Sequence, residues 1–373
     1  MHIHVNSASR LAGLAAASAL MIAACSGPLG SSSSSSNPSS GFGAARDAAA
    51  RTEIALSERV TELSSLVDAK RCATCADALS TVSDGAHDRL QALGGAGEAA
   101  ANNAVPLADA PEKISGIVSW MIATAQRDLS HAADPSIANA EQALALTRIA
   151  LDRHRAAKEL AAAYTLDTDA GIPEVSAIAS RMDLISQGIP TTFTWLLDAD
   201  DVKKQSVLPT VDLVKSAQSL ADSTELSQAI SVWDCVAQTT PQSLRTSLSE
   251  AEGGASDPAV SSTASQANAL MDHLLTRSTS YLEAGAADSR TLRCSAGSLL
   301  TDGESTAGGS HDESESAVRA TLARKALDAD LSLLSSDVAD IRLIGIRCAL
   351  EDMDLWSAFG ADGVSRALAL TSG

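Results

Sequence analysis

Apolar residues recur along most of the chain at alternating spacings of three and four positions, which is the pattern of one face of an α-helix. One series joins Val260 to Tyr281, and another joins Leu327 to Cys348. The alternating β-branched and aromatic runs that are typical of strands do not occur. The pattern therefore predicts an all-α fold built from amphipathic helices.

The helices are predicted from these series and from their start signals. Proline behind a short polar residue marks three starts, at Asp134-Pro135, Thr240-Pro241 and Asp257-Pro258. The series changes phase near Ala69-Lys70, which predicts a break there. The predicted helices span residues 44–68, 71–93, 111–132, 135–166, 173–187, 191–205, 209–221, 223–238, 241–251, 258–284, 288–300, 315–347 and 350–370.

Short connections between long helices favour up-and-down antiparallel bundles. The length of the chain favours two packed units. The run Gly253-Gly254-Ala255-Ser256-Asp257 interrupts the helical pattern, so we expect an N-terminal bundle over residues 44–252 and a C-terminal bundle over residues 253–373. Residues 301–316 are rich in Gly, Ser, Asp and Glu, and this composition predicts an exposed, mobile acidic loop. Whether the two bundles share one core stays open at this point.

A targeting segment precedes the helical pattern. Arg10 is followed by an unbroken run of small and apolar residues from Leu11 to Ala24, and Cys25 comes next. This order is that of a secretory signal, and the run is shorter than the roughly 20 residues that span a bilayer. The end of the run, Ile22-Ala23-Ala24-Cys25, resembles the lipobox of bacterial lipoproteins. The resemblance implies that residues 1–24 are a signal peptide and that Cys25 becomes the acylated N-terminus, carrying chains such as palmitate.

Residues 25–43 are predicted to form a flexible linker, because they contain six consecutive serines, Ser31 to Ser36, among Gly, Pro and Asn. Such a linker would let a folded domain stand away from a membrane. We therefore expect the protein at the cell membrane, lipid-anchored through Cys25 on the extracytoplasmic face.

The composition of the chain excludes some classes of binding partner. The formal net charge is −19, and a surface this negative repels phosphate backbones, so nucleic acid is not an expected partner. Aromatic residues make up 2% of the chain, which leaves no platform for stacking sugars or bases. Besides the membrane, the expected partner type is an envelope protein.

Five cysteines follow Cys25, and outside the cytoplasm they can form disulfides. They allow at most two bridges and leave one thiol free, but the sequence does not give the pairing. These disulfide candidates are Cys72, Cys75, Cys235, Cys294 and Cys348.

The Cys72-Ala73-Thr74-Cys75 motif allows several interpretations. A haem attachment would need histidine at position 76, which is Ala76, and a zinc site would need a second pair of ligands. Lys70-Arg71 would lower a thiol pKa and so keep a redox pair under consideration. The favoured interpretation is a structural disulfide, because both sulfurs lie on the apolar stripe of their helix.

The histidines predict no metal site, because no Glu-x-x-His pair occurs. We expect them to be surface or flanking residues: His87, His131, His154, His273 and His311. The segment Arg153-His154-Arg155-Ala156-Ala157-Lys158-Glu159-Leu160-Ala161 resembles a helix of ferritin-like domains in actinobacterial lipoproteins. The resemblance implies a four-helix bundle, although the missing iron ligands argue against a metal activity.

The acidic residues give no catalytic set. Adjacent pairs such as Asp200-Asp201 and Glu351-Asp352 point in different directions on a helix, so we expect them to solvate the surface. The run Asp312-Glu313-Ser314-Glu315 lacks the spacing of a calcium loop. The Gly-x-Ser-x-Gly elbow, the phosphate-binding loop and the dinucleotide glycine fingerprint do not occur. We predict no catalytic residues, no metal and no cofactor.

Three functions remain as hypotheses. The preferred one is a non-enzymatic envelope lipoprotein that presents a helical surface to protein partners or to an assembly. The second is a helical binding module for a small apolar or cationic ligand. The third is a thiol–disulfide redox protein that uses Cys72 and Cys75.

Overall fold

The computed structural model describes residues 41–67, 73–95, 110–164, 208–209, 211–250, 258–291, 294 and 311–358. Within these residues the regular secondary structure is helical, which confirms the all-α prediction. The first group of helices is α1 (Phe42–Ser64), α2 (Ala73–Ala92), α3 (Ile114–Ala133) and α4 (Ala140–Ala163). The second group is α5 (Ala217–Asp222), α6 (Thr224–Glu250), α7 (Pro258–Glu283), α8 (His311–Ser332), a 3₁₀ turn (Leu333–Ser335) and α9 (Ala339–Ala358).

Two predicted helix starts differ from the structure. The helix expected from Pro135 begins at Ala140, because Asn139 and Gln142 form a capping box in which each side chain accepts the other residue's backbone N–H. The residues between fold as a turn, in which the Asp134 carboxylate accepts from the Ser136 backbone N–H at 2.8 Å. The helix expected to start at Pro241 does not start there, because α6 continues through this proline to Glu250.

The single helix predicted over residues 315–347 is wrong, because α8 ends at Ser332 and α9 begins at Ala339. The Ser336 hydroxyl accepts the backbone N–H of Val338 and holds the turn between them. The apolar residues keep the same spacing through this turn, so the sequence pattern did not reveal the turn. Val338, which belongs to that series, is 38% exposed and does not belong to the core. Residues 286–291, where the helix 288–300 was predicted to begin, have no regular secondary structure.

Several predictions lie outside the described residues. They are the signal peptide, the Ser-rich linker up to residue 40, the helices 173–187 and 191–205, residues 301–310 of the acidic loop and the unit boundary at 252–253. The loop predicted over residues 301–316 is wrong for residues 311–316, because these form the first turns of α8.

The first four helices pack as a bundle in which α1 contacts α2 and α3, and α4 contacts the same two helices. Two apolar clusters fill it, one containing Ala49 and Leu146, the other containing Leu56 and Leu160. The chain passes from the first cluster to the second along α1 and α4, and in the reverse direction along α2 and α3. Every contacting pair is therefore antiparallel, while the successive helices α2 and α3 run in the same direction.

A layer of charged side chains separates the two clusters. We call it the central ion layer, and its buried members are Glu53, Arg89, Asp128 and Arg153. Glu53 accepts from Arg89 Nε at 2.9 Å and from Arg153 Nε at 2.7 Å, and Arg153 Nη1 donates to Asp128 at 2.8 Å. Each of the four helices contributes one member, so the layer fixes how far each helix is shifted along its neighbours.

Two further charged residues at the edge of the central ion layer, Arg127 and Asp152, add one positive and one negative charge to it. Arg127 Nε donates to Asp128 at 2.8 Å, and Arg89 Nη1 donates to Asp152 at 2.7 Å. Including these two, three guanidinium groups face three carboxylates. Burying an ion costs several kcal/mol unless it is paired and hydrogen-bonded, and here every charge in the layer has an opposite partner.

The second group of helices shares its core with the first. One apolar cluster contains Ala49 of α1 and Leu146 of α4 together with Leu274 of α7 and Trp356 of α9. Arg342, which is 1% exposed, joins the groups by donating to the carbonyl oxygen of Ala138 at 2.6 Å. The described residues accordingly form one compact unit.

We predict that Glu53→Gln destabilises the fold by about 3–5 kcal/mol, the cost of leaving buried charges without a partner. Glu159→Gln is the matched control, because Glu159 pairs with Arg155 at an exposed position and its loss should cost less than about 1 kcal/mol. Urea unfolding of the full chain at pH 7 measures both. Equal midpoints for the two variants would contradict a structural role for the central ion layer.

Candidate functional site

The described cysteines are divided between bonded and free. Cys235 of α6 is bonded to Cys294, with their Cα atoms 5.3 Å apart. Cys75 is disulfide-bonded to a partner outside the described residues, and its side chain is buried near the start of α2. Cys348 of α9 is a buried free thiol. Cys25 and Cys72 lie outside the described residues.

The expectation that the histidines are surface or flanking residues is wrong for His154. It lies on a buried face of α4 at 1% exposure, and burial, together with the nearby Lys158, lowers its pKa to about 3. It is therefore neutral at physiological pH. Among the described residues no group of three or more His, Cys, Asp and Glu side chains is placed to hold a metal ion.

A cleft of about 350 Å³ opens between α7, α9 and the segment that precedes α5. Its polar side is formed by side chains on facing turns of α7 and α9, and its apolar side by the segment and by the middle of α9. The residues that line it are Val211, Leu213, His273, Thr276, Arg277, Ser280, Tyr281, Ile344, Arg347, Cys348 and Glu351. Its volume lies at the lower end of the range for small-ligand pockets.

Arg277 is the link between this cleft and the protein interior. Its Nη2 donates to Asp352 Oδ1 at 2.5 Å and to His273 Nε2 at 2.8 Å. Its guanidinium carbon lies 5.2 Å from the centre of the Trp233 ring, within the range of a cation–π contact. Burial acts to lower the pKa of Arg277, but the carboxylate of Asp352 outweighs it and holds the pKa well above the usual value.

The hydrogen bond from Arg277 also fixes the form of His273. An arginine N–H can only donate, so Nε2 of the imidazole accepts, and the neutral ring carries its proton on Nδ1. Burial and the neighbouring guanidinium lower the pKa of His273, which keeps the ring uncharged. His273 therefore adds a hydrogen-bond donor to the cleft but no positive charge.

Behind Arg277 lie two carboxyl groups that are fully buried, Asp330 of α8 and Asp352 of α9. The close approach of these helices is possible because position 345 is glycine: a Cβ there would lie 2.5 Å from the carbonyl oxygen of Asp330. Trp233 Nε1 donates to Asp330 Oδ1 at 2.8 Å, and Arg277 donates to Asp352 Oδ1. The two Oδ2 atoms receive no hydrogen bond from any other described residue.

We infer that the two carboxyl groups share one proton, because they lie within hydrogen-bonding reach of each other and their Oδ2 atoms have no other partner. Burial raises the pKa of Asp330 well above its usual value, and the adjacent, hydrogen-bonded Asp352 raises it further. Asp330 is then the protonated partner and donates to Asp352, whose negative charge is paired with Arg277. The arrangement leaves no net charge in this part of the core.

The thiol and phenol at the floor of the cleft are not reactive nucleophiles. The hydroxyl of Tyr281 and the sulfur of Cys348 lie 3.8 Å apart. Burial raises the pKa of both groups, because a thiolate or phenolate would be poorly solvated there. Both side chains remain neutral and contribute shape and weak hydrogen bonding.

Sequence reasoning missed the buried acids. The expectation that Glu351-Asp352 solvates the surface is wrong for Asp352, while Glu351 is partly exposed at the cleft. The sequence did contain a signal for the burial of Asp352. The apolar series that ends at Ile341, Gly345 and Cys348 continues to position 352 at the same spacing. An acid at a position where the helix faces the core indicates a buried polar pair. Trp195 and Asp200-Asp201 lie outside the described residues.

Comparison with known proteins adds no assignment: no family model, no curated protein and no solved structure matches the chain. Among the described helices, none combines the length and the apolar character needed to cross a bilayer.

We predict that the shared proton makes stability fall as pH rises. Between the ordinary carboxyl pKa near 4 and the raised pKa of Asp330, the folded state holds a proton that the unfolded state has lost. The free energy of unfolding therefore falls by up to about 1.4 kcal/mol per pH unit in this window. Asp330→Asn keeps the hydrogen bonds but has no proton to lose, so this contribution to the slope should vanish.

Urea unfolding of wild type and variants at pH 5, 6 and 7 measures the difference in slope. Asp330→Leu serves as the comparison, because it also removes the proton but loses the hydrogen bond from Trp233. Both variants should show the same change in slope, with Asp330→Leu less stable at every pH. Parallel curves for wild type and Asp330→Asn would contradict the shared proton.

Proposed function

We propose that this chain is a lipid-anchored, extracytoplasmic protein of the cell envelope whose helical domain binds a small ligand without converting it. The observation that carries the binding role is the cleft between α7 and α9. It combines an apolar wall, Val211 and Ile344, with charged side chains from facing helices. This combination of apolar surface and a few placed polar groups is typical of small-ligand sites.

The chemistry around the cleft favours binding over catalysis. The thiol of Cys348 and the hydroxyl of Tyr281 are held neutral by burial. The carboxyl pair Asp330 and Asp352 is fully buried behind Arg277, so a ligand in the cleft has no direct contact with its shared proton. Of the three hypotheses from the sequence, the binding module is therefore favoured, and a structural or protein-docking role stays a prediction.

The first bundle supports a scaffold role rather than a metal centre. Its helix directions, with α2 and α3 parallel, are those of four-helix bundles with one long crossover, a class that includes ferritin-like folds. Such folds place metal-binding carboxylates at the middle of the bundle. In this chain Arg89 and Arg153 occupy that level and pair with Glu53 and Asp128, so the carboxylates already have their positive charges.

The redox alternative is disfavoured by the surroundings of Cys75. Its side chain is 7% exposed, and its sulfur lies 3.6 Å from the carbonyl oxygen of Ala163 in α4. Reactive thiols are usually partly exposed. A buried, bonded sulfur against a neighbouring helix fits a disulfide that stabilises the fold.

The anchor rests on the sequence, since Cys25 lies outside the described residues. We predict that the full chain expressed in a bacterial host is labelled by a fatty-acid analogue and fractionates with membranes. Cys25→Ala should abolish both the labelling and the membrane fraction, while Cys348→Ala, which removes a buried thiol elsewhere, should abolish neither. Label on the Cys25→Ala protein would contradict anchoring at this residue.

Ligand binding at the cleft is tested by thermal unfolding of the full chain in mild detergent. The probe panel contains amino acids, small carboxylates, tetramethylammonium, choline, short fatty acids and monosaccharides. Ser280→Trp fills the cleft, and Thr279→Trp places the same side chain on the neighbouring exposed position, which does not line it. A ligand at 100 times its dissociation constant stabilises by about 2.7 kcal/mol.

The expected result is that at least one probe class raises the melting temperature of wild type and of Thr279→Trp but not of Ser280→Trp. If no class distinguishes the two tryptophan variants, the cleft is not a ligand site and the proposal fails.

A further inference from the structure

The charges of the cleft differ in how far they are already paired. Arg277 is already paired with the carboxylate of Asp352, and the ring of His273 is neutral, so neither side chain offers an unpaired positive charge. Arg347 and Glu351 remain. They lie on successive turns of α9, four residues apart, and both line the cleft.

Arg347 has no carboxylate partner in the described part of the chain. Its one contact is a long hydrogen bond of 3.4 Å from Nη1 to the carbonyl oxygen of Pro209. Most described arginines, by contrast, are paired with an acid, which is expected in a chain with a net charge of −19. An unpaired guanidinium in a cleft is suited to bind a carboxylate, because its N–H groups match the two oxygens.

Glu351 is held only loosely. Its nearest nitrogen atoms are Arg277 Nη2 at 3.4 Å and Nε2 of the neutral His273 ring at 3.6 Å, and its side chain is 41% exposed. The hydrogen bond from Arg277 Nη2 is long at 3.4 Å, and Nε2 of the neutral His273 ring has no hydrogen to donate, so both contacts are weak. The carboxylate can therefore accept an ammonium group from a ligand.

Arg347 and Glu351 do not pair with each other, although residues four apart on a helix commonly do. Closing such an exposed pair would gain only about 0.3–0.5 kcal/mol, so a ligand that satisfies both charges displaces it easily. The distance between their attachment points is about 5–6 Å. A small molecule that carries one positive and one negative group can bridge them.

We infer that the cleft binds a small zwitterion of the α-amino acid class, with its carboxylate on Arg347, its ammonium on Glu351 and an apolar side chain against Ile344 and Tyr281. The remaining polar residues fit this pose. The exposed hydroxyl of Thr276 and Nδ1–H of His273 are further hydrogen-bond donors at the cleft. A doubly charged anion is disfavoured, because Glu351 lies one turn from Arg347.

The inference rests on the proposed binding function and narrows it to a ligand class. Two sources share this chemistry, a free amino acid and the termini of a dipeptide. The volume of about 350 Å³ accepts one amino acid with an apolar side chain, and a dipeptide would extend toward solvent. The test below separates the two sources.

Isothermal titration of the full chain in mild detergent uses four probes: L-phenylalanine, L-phenylalaninamide, N-acetyl-L-phenylalanine and L-phenylalanyl-L-phenylalanine. The amide lacks the carboxylate, and the acetylated form lacks the ammonium group. We expect wild type to bind L-phenylalanine at least about tenfold more tightly than either capped form, which corresponds to about 1.4 kcal/mol. Tighter binding of the dipeptide would identify a peptide source, and weaker binding would identify the free amino acid.

Two variants assign the groups. Arg347→Gln should weaken L-phenylalanine about tenfold and remove the preference over the amide, while Glu351→Gln should remove the preference over the acetylated form. Arg290→Gln is the control, because Arg290 pairs with Asp288 away from the cleft. Unchanged affinities for Arg290→Gln show that the net charge alone does not account for the effect.

Two results would overturn the inference. One is equal binding of the free and capped forms, and the other is binding of a different probe class at the cleft while no zwitterion binds. In both cases the cleft remains a ligand site and the proposed function stands. If no probe distinguishes Ser280→Trp from Thr279→Trp, the proposed function itself fails.

Discussion

Charged groups inside an apolar core have to be neutralised within that core, and this requirement shapes both parts of the structure. In the first bundle, three guanidinium groups and three carboxylates neutralise one another between two apolar clusters. Because each helix supplies a member and each ion pair has a narrow geometry, the layer admits few alternative registers. Alanine-rich helices have small side chains that interlock weakly, so a charged layer of this kind supplies register that packing alone does not.

The second group of helices meets the same requirement with a proton. Asp330 and Asp352 carry two carboxyl groups into a fully buried space, and Arg277 can neutralise one of them. The other remains uncharged because burial and its neighbour raise its pKa. The cost is a stability that falls as pH rises above the ordinary carboxyl pKa.

The charges that the cleft can offer to a ligand depend on the partners of Arg277. Its charge is paired on the interior side with Asp352, and a second hydrogen bond orients His273 at the cleft. The free charges of the cleft are therefore those of Arg347 and Glu351, one of each sign. The proposed ligand class is thus a consequence of the neutralisation of the core, since a different distribution of protons and ion pairs behind Arg277 would leave a different charge at the surface.

Periodicity in the sequence determined that the chain is helical and located most of the long helices, because a buried face imposes its spacing on the residues. It did not locate the turn between α8 and α9, since the apolar spacing passes through Ser336 without a change. Nor did it identify which charged residues are buried. Glu53, Arg153, Asp330 and Asp352 resemble surface residues until the opposing helix is in place, because the partner of each lies far along the chain. The pairing of charges, the shared proton and the cleft were decided by tertiary structure alone, since all three depend on which helix faces which.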